Sequence, residues 1–348
     1  MRRRFVLVLF VALSVAASGV ASDQIHNTVK EKYRTVEVGG FTVEKGVELP
    51  PEFATALPQE IVAQLQESKV FAKVSAISDT TAATPASSAP VMRMTGIVTA
   101  FHEGSRKGRY FGGAFNPGAN TQIYAYVRFT DAATNALITE TEVVGTMAGG
   151  LFGGDSKKVV HEFAKSLVDT TKFIVLKPPL TATDQAPKVA DNAERETVEL
   201  SDSAYDAALA RVNDLAAKGY RLVDFKTTSY QTANLTMAKT GDHAQYQYAF
   251  FKALLAGSVQ KDLTKKSQEG FRYRPHTMIV LKNHVFAIAE RNTSAPSARY
   301  EYKLHTTMLE SSAEKNIRED QGQGFVLVDC RPTMDNQHML LLEKKGQE

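Results

Sequence analysis

Three times in the second half of this chain a helical run ends on a glycine followed by an aromatic residue: Gly219-Tyr220, Gly270-Phe271 and Gly324-Phe325. The glycines lie 51 and 54 residues apart. One plan recurs around them: AALARVNDLAAKGYRLVDF then NLTMAKT, KDLTKKSQEGFRYRP then NHVFAIAERN, and AEKNIREDQGQGFVLVDC then NQHMLLLEKK. A period near 50 residues predicts duplicated modules stacked on one another. Each glycine suits the position just past a helix C-terminus, where the left-handed conformation costs a residue bearing a Cβ about 1 kcal/mol. The aromatic after it then packs back on the core. Tyr-rich strands at residues 246–251 and 300–304 introduce the second and third modules, so each unit is expected to be β-α-β-β. The second unit departs from the plan after Arg274.

The first half has a different character. Residues 34–43 alternate apolar and polar positions as a half-buried strand does. An amphipathic helix follows, with Ile61, Val62 and Leu65 on one face, and its regular part is expected to begin at Pro58, because proline is tolerated in a first turn. Extended runs come at 70–77, 91–101, 121–130 and 136–147, the last two joined by a tight hairpin from Asp131 to Asn135. A helix with Val159, Val160, Phe163, Leu167 and Val168 as its apolar stripe closes the region. The order is β-α-β-β-β-β-α. This predicts an α+β fold with a mainly antiparallel sheet and two helices, followed by the three repeat units.

Residues 1–21 read as a signal peptide: Arg2, Arg3 and Arg4, an apolar run from Phe5 to Ala17, then small residues. The run is too short to span a bilayer core of about 30 Å. An exported protein, periplasmic or secreted, is therefore expected, with residues 22–176 as the first domain, 177–197 as a Pro-containing linker and 198–348 as the repeats. No cysteine lies near the cleavage point, so no lipidation is expected. The formal net charge of +3 is carried by the three leader arginines, which leaves the rest close to neutral and gives no electrostatic case for nucleic acid. The single cysteine, Cys330, excludes an internal disulfide and a cysteine-based zinc site.

GIVTAFHEGSRKGRYFGGAFNPGA (96–119), VRFTDAATNALITETEVVGTMAGGLFGGD (127–155), HEFAKSLV (161–168) and LPPEFATALPQEIVAQLQESKVF (49–71) resemble DUF4410, a bacterial family of unknown function. The resemblance covers about residues 33–176. Many proteins of that kind are envelope lipoproteins, and this chain departs from them in lacking a lipobox cysteine. The repeats, above all EYKLHTT and GFVLVDC with LLLEKK, resemble the small DUF4177 module, also uncharacterised. Neither resemblance supplies a catalytic residue, and both imply a binding or assembly role.

Two stretches invite chemistry. In the first, Tyr110, Phe111 and Phe115 sit among glycines with Arg106 and Arg109 beside them, a candidate contact loop for an envelope partner or a second copy. In the second, Gly153, Gly154 and Lys157 at a helix start form a weak candidate anion site, although Asp155 departs from a phosphate-binding loop and would repel phosphate. An extracytoplasmic small-ligand or anion binder is thus the alternative to an assembly protein. A GDS-type hydrolase built from Ser156, Asp335 and His338 fails, because the serine block lies at the wrong end of its domain and no oxyanion-supporting block follows in order. His161-Glu162 lacks the second histidine of a zinc-protease helix, and the eight histidines show no ligand spacing. The chain is accordingly expected to be no enzyme and to carry no cofactor or metal.

Overall fold

The computed structural model describes residues 28–49, 53–77, 89–102, 121–147, 156–180, 187, 189–241, 244–294, 298–333 and 337–346. Residues 1–21, read as a signal peptide, the Gly/aromatic stretch with Arg106, Arg109, Tyr110, Phe111 and Phe115, and Gly153 and Gly154 lie outside the described residues, as does the Lys157 side chain.

The fold is α+β. Helix α1 (Val29–Lys32) precedes β1 (Thr35–Val43), α2 (Phe53–Ser68), β2 (Lys73–Ala76), β3 (Val91–His102), β4 (Thr121–Asp131), β5 (Leu137–Met147) and α3 (Ser156–Ile174). The five strands form one sheet in the order β2-β1-β3-β4-β5. β1 runs parallel to both β2 and β3, while the longer β3-β4 and β4-β5 ladders are antiparallel, so antiparallel pairing dominates by length. The hairpin between β4 and β5 is closed by Asp131, whose carboxylate accepts from the backbone of Ala133 and Thr134, and by Asn135 at φ 59°.

α2 and α3 cover one face of this sheet, where Ile123, Ala125, Val127 and Phe129 are at most 2% exposed. α2 corrects the expectation drawn from Pro58. It starts at Phe53 and carries the proline inside. Phe53 and Leu57 are fully buried, and the Phe53 ring lies 5.8 Å from that of Phe163 on α3. Burying two large apolar side chains, at about 1.5–3 kcal/mol each, offsets a proline cost of about 3 kcal/mol.

The repeats follow as three β-α-β-β units. They are β6 (Arg195–Ser201), α4 (Tyr205–Ala217), β7 (Tyr220–Thr227) and β8 (Thr232–Lys239); then β9 (Tyr246–Ala253), α5 (Ala256–Ser267), a split strand β10 (Arg272–Tyr273) and β11 (Ile279–Leu281), and β12 (His284–Asn292); then β13 (Tyr300–Thr307), α6 (Glu310–Gln321), β14 (Val326–Pro332) and β15 (His338–Lys345). Each sheet places the last strand in the centre, between the first and the second. Gly219, Gly270 and Gly324 have φ of 86°, 88° and 87°, the left-handed conformation that the sequence demands of them. The residue capping each helix N-terminus precedes its glycine by the same fifteen positions (204 and 219, 255 and 270, 309 and 324), so the units align without gaps across helix and turn.

Two contacts recur at each junction between units. In the first, the helix of one unit holds the edge strand of the next through side-chain-to-backbone bonds. Asn213 on α4 donates to the Tyr248 carbonyl (3.1 Å) and accepts from its N–H (2.9 Å), and the Tyr205 hydroxyl donates to the Phe250 carbonyl (2.6 Å). On α5, Gln260 accepts from the Leu304 N–H (2.9 Å), Thr264 from that of Tyr302 (3.3 Å), and Ser267 from that of Tyr300. In the second, an arginine two positions after the glycine pairs with a glutamate on the next unit, which also accepts from a tyrosine hydroxyl. Arg221, Glu290 and Tyr248 form one such clamp, and Arg272, Glu343 and Tyr302 the other. The clamp stops at the ends of the stack. The first unit has Thr197 where the others have the tyrosine, and the third has exposed Val326 where the others have the arginine.

The helix starts of units two and three share another feature. Leu255 and Leu309 are the N-cap residues, neither provides a side-chain cap, and they are 71% and 63% exposed. A serine or aspartate there would accept from an orphan N–H of the first turn. Leu255→Asp and Leu309→Ser are each expected to raise stability by about 1 kcal/mol, read as an upward shift of the urea midpoint at unchanged slope. A fall in midpoint would mean that the exposed leucines are packed in solution.

Candidate functional site

The third unit packs on the N-terminal region. Ala313, Ile317, Phe325, Leu327, Leu340 and Leu342 share one apolar core with the N-terminal sheet and helices. His338 stacks on Phe173 of α3 with ring centroids 3.9 Å apart. The second face of the N-terminal sheet is covered too: the Glu142 carboxylate on β5 accepts from both the N–H (3.0 Å) and the hydroxyl (2.6 Å) of Thr227 in the first unit, and Tyr124 on β4 is 1% exposed.

Where these surfaces meet, a charged cluster is buried. Asp329 is fully buried and accepts from the Tyr273 hydroxyl (2.5 Å), the His276 N–H (3.0 Å) and the Cys330 N–H (2.8 Å). The Arg331 guanidinium lies 3.6 Å away and donates to the His276 carbonyl. Burial alone would raise the Asp329 pKa, but Arg331, Lys177 and His276 outweigh it and hold the carboxyl below its ordinary range. Lys177 is 1% exposed and its ammonium has no hydrogen-bond partner, so burial pushes its pKa down despite the pull of Asp329. Among the described residues neither ring nitrogen of His276 has a hydrogen-bond partner, although Nδ1 lies 4.0 Å from Asp329, and burial drives its pKa well below 6.5. Cavities of about 30 Å³, room for a water each, flank the cluster. The cluster ties together the N-terminal region and the second and third units, and burial raises the pKa of its Cys330 thiol. It is a structural joint. His276, at φ 67°, enters it through the break between β10 and β11, which is where the second repeat departs from the plan.

An open cleft of about 490 Å³ lies between α6 and the N-terminal region. One wall is Glu314, Ile317, Arg318 and Gln321; the other is built from residues 28–34, 69–72 and Leu176. At one end Lys30 reaches across to Glu310 and Glu314, 3.2 Å from each. Burial opposes its charge, but the two carboxylates prevail and raise its pKa. Further along, Arg34, Lys69 and Arg318 line the cleft, exposed and with no carboxylate partner among the described residues. Lys69 is held at φ 55° just past the end of α2, where glycine is the usual residue, which aims a lysine at the cleft at a cost of about 1 kcal/mol. The cleft is in the size range of ligand sites, and the four cations of its lining, Lys30, Arg34, Lys69 and Arg318, outnumber its two carboxylates, Glu31 and Glu314.

Sequence reasoning placed its candidates elsewhere, on stretches outside the described residues. Arg318 and Lys69 carry no motif, and what makes them a site is the docking of the third unit on the N-terminal region. A partial signal was present, because the outward face of the third helix reads Glu310, Glu314, Arg318, Gln321 where the helices before it carry neutral residues. Of the hydrolase residues, His338 is a buried packing histidine, while Asp335 and the Ser156 side chain are not described. Among the described residues no cluster of three or more His, Cys, Asp or Glu could hold a metal, and no helix is long and apolar enough to cross a membrane.

No protein-family model matches the chain, and no curated protein matches it. Solved structures do. A PelC dodecamer from Paraburkholderia phytofirmans is similar at 13% identity and a TM-score of 0.26, over 39% of this chain and 86% of that one. A DUF330 protein from Xanthomonas campestris is similar at 13% and 0.25, over 40% and 81%. A putative neuraminyllactose-binding hemagglutinin homolog from Helicobacter pylori is similar at 15% and 0.25, over 39% and 82%.

Proposed function

We propose that this is an exported, non-catalytic binding or assembly protein of the cell envelope, and that its partner is held in the cleft between α6 and the N-terminal region. The observation that carries this reading is the excess of positive charge lining an open cleft of about 490 Å³: among the described residues Arg34, Lys69 and Arg318 have no carboxylate within ion-pair distance, while of the two carboxylates in the lining Glu314 is paired with Lys30 and Glu31 accepts from the Thr28 N–H. Excess charge converging on a concave surface raises the local concentration of an oppositely charged partner. The leader-like N-terminus supports export.

Reversing the charge tests the reading. In an extracytoplasmic extract the native protein is expected to elute from a sizing column ahead of a single chain. The triple substitution Arg34→Glu, Lys69→Glu, Arg318→Glu is expected to elute as a single chain with an unchanged melting temperature, since exposed charges contribute little to stability. Elution of both proteins at the larger size would move the contact away from the cleft, and elution of both as single chains would count against an assembly role.

A further inference from the structure

The cleft has an internal precedent. Counting from the N-cap, Leu209, Gln260 and Glu314 are equivalent, as are Asn213, Thr264 and Arg318, and Ala216, Ser267 and Gln321. In α4 and α5 this row of the helix holds the backbone of an extended strand, through Asn213 to Tyr248 and through Gln260, Thr264 and Ser267 to Leu304, Tyr302 and Tyr300. In α6 the same row, Glu314, Arg318 and Gln321, lines the cleft. The cleft therefore lies where a fourth edge strand would lie. The seven steps along the helix from Glu314 to Gln321 rise about 10 Å, which matches three steps of extended chain at about 3.3 Å each.

A further repeat of the same kind does not fit. The clamp arginine is replaced by Val326, and the only first strand left uncovered, β6, presents exposed Arg195, Thr197 and Glu199 where β9 and β13 present aromatic or apolar residues. Charged residues of that kind discourage edge docking. A second copy adding β6 to α6 is disfavoured on both sides. Charge sets the alternative, because Arg34, Lys69 and Arg318 face the vacant position.

We propose that the cleft holds an extended segment of a partner polypeptide carrying acidic side chains, its backbone bonded by the α6 row as β9 and β13 are bonded by α4 and α5. This rests on the cleft being the binding site. The Arg318 side chain would donate to a backbone carbonyl of the segment and Gln321 Oε1 would accept from one of its N–H groups, as the equivalent Ser267 does from Tyr300, while Arg34 and Lys69 would pair with its carboxylates.

The test uses the full mature chain and fluorescein-labelled eight-residue peptides of alternating valine and glutamate, read by anisotropy. One peptide is unmodified, one is N-methylated at odd amides and one at even amides. The unmodified peptide is expected to bind, one methylated form to bind about tenfold or more weakly, and the other to bind nearly as well, because one edge of a strand faces the helix. Gln321→Ala and Arg318→Ala are each expected to weaken binding severalfold, and Lys315→Ala, on the exposed side of α6, to leave it unchanged. Equal binding of all three peptides would overturn the strand geometry and leave a cleft that reads charge alone. No peptide binding, with photo-adducts still forming at Arg318 in cells, would overturn the extended acidic segment and keep the site; loss of both would remove the site as well. Binding only by a chain that starts at Thr28 would assign the cleft to the protein's own residues 22–27 and overturn the proposal.

Discussion

Asp329→Ala is expected to lower the unfolding free energy by about 3–5 kcal/mol, the cost of removing one partner from a buried charged cluster. The carboxylate is fully buried, neutralises Arg331 at 3.6 Å, and receives three hydrogen bonds that would be left without an acceptor. The loss should be cooperative across the chain, since the N-terminal region and the second and third units all contribute to the cluster. Lys177→Met is the informative partner variant. Its ammonium is buried without an acceptor, so an apolar side chain of similar length is expected to be neutral or stabilising. Urea unfolding of the two variants decides the matter: a large loss in both would mean that Lys177 is an obligatory partner of Asp329.

The second large effect is acid lability above the carboxylate range. His338 is 4% exposed, stacked on Phe173, and both its ring nitrogens lack partners. Burial, against a weaker pull from Asp169 and with some help from Lys172, lowers its pKa from 6.5 to about 4. Above pH 6.5 both folded and unfolded chains carry a neutral ring, and the stability is fully present. Between 6.5 and about 4 only the unfolded chain takes up the proton, so stability falls with falling pH, by about 3 kcal/mol in all. His276 acts in the same direction. Asp329, lowered in the fold, adds its loss only below about 3.8. Urea midpoints at pH 7.5 and 4.5 should therefore differ strongly in the native protein. They should differ less in His338→Phe, which keeps the stacked ring and removes the proton site. An equal drop in both proteins would place the acid sensitivity elsewhere.

Much of the architecture was legible in the sequence because it rests on local physics. Gly219, Gly270 and Gly324 announce the left-handed helix ends, and the ungapped spacing from N-cap to glycine carries the repeat through α4, α5 and α6. The hairpin at Asp131–Asn135 declared itself by its turn chemistry. Pro58 misled because its local penalty is set against the tertiary burial of Phe53 and Leu57, which no window of sequence displays. The parallel pairing of β1 with two neighbours is a matter of topology and leaves no periodic trace. Tyr124 and Glu142 lie on the sheet face that α2 and α3 leave open, and they are covered because the repeats fold back over it, which no local pattern displays.

The cleft was not legible for the same reason. Arg34, Lys69 and Arg318 are scattered over almost the whole chain and acquire a common surface only when the third unit docks. The break after Arg274 was visible as an irregularity in the repeat, while Thr197 and Val326 stand out only against the clamps that the structure reveals. Their meaning needed the structure: the first admits His276 to the joint, and the others mark where the stack begins and ends.

The most direct test of the account is photo-cross-linking in cells that express the protein natively, with a benzophenone side chain placed at Arg318 in the cleft and, as a control, at Lys315 on the exposed side of the same helix. The account predicts a single defined adduct at position 318 in the envelope or extracytoplasmic fraction and none at 315. No adduct at 318, or the same adducts at both positions, would contradict it.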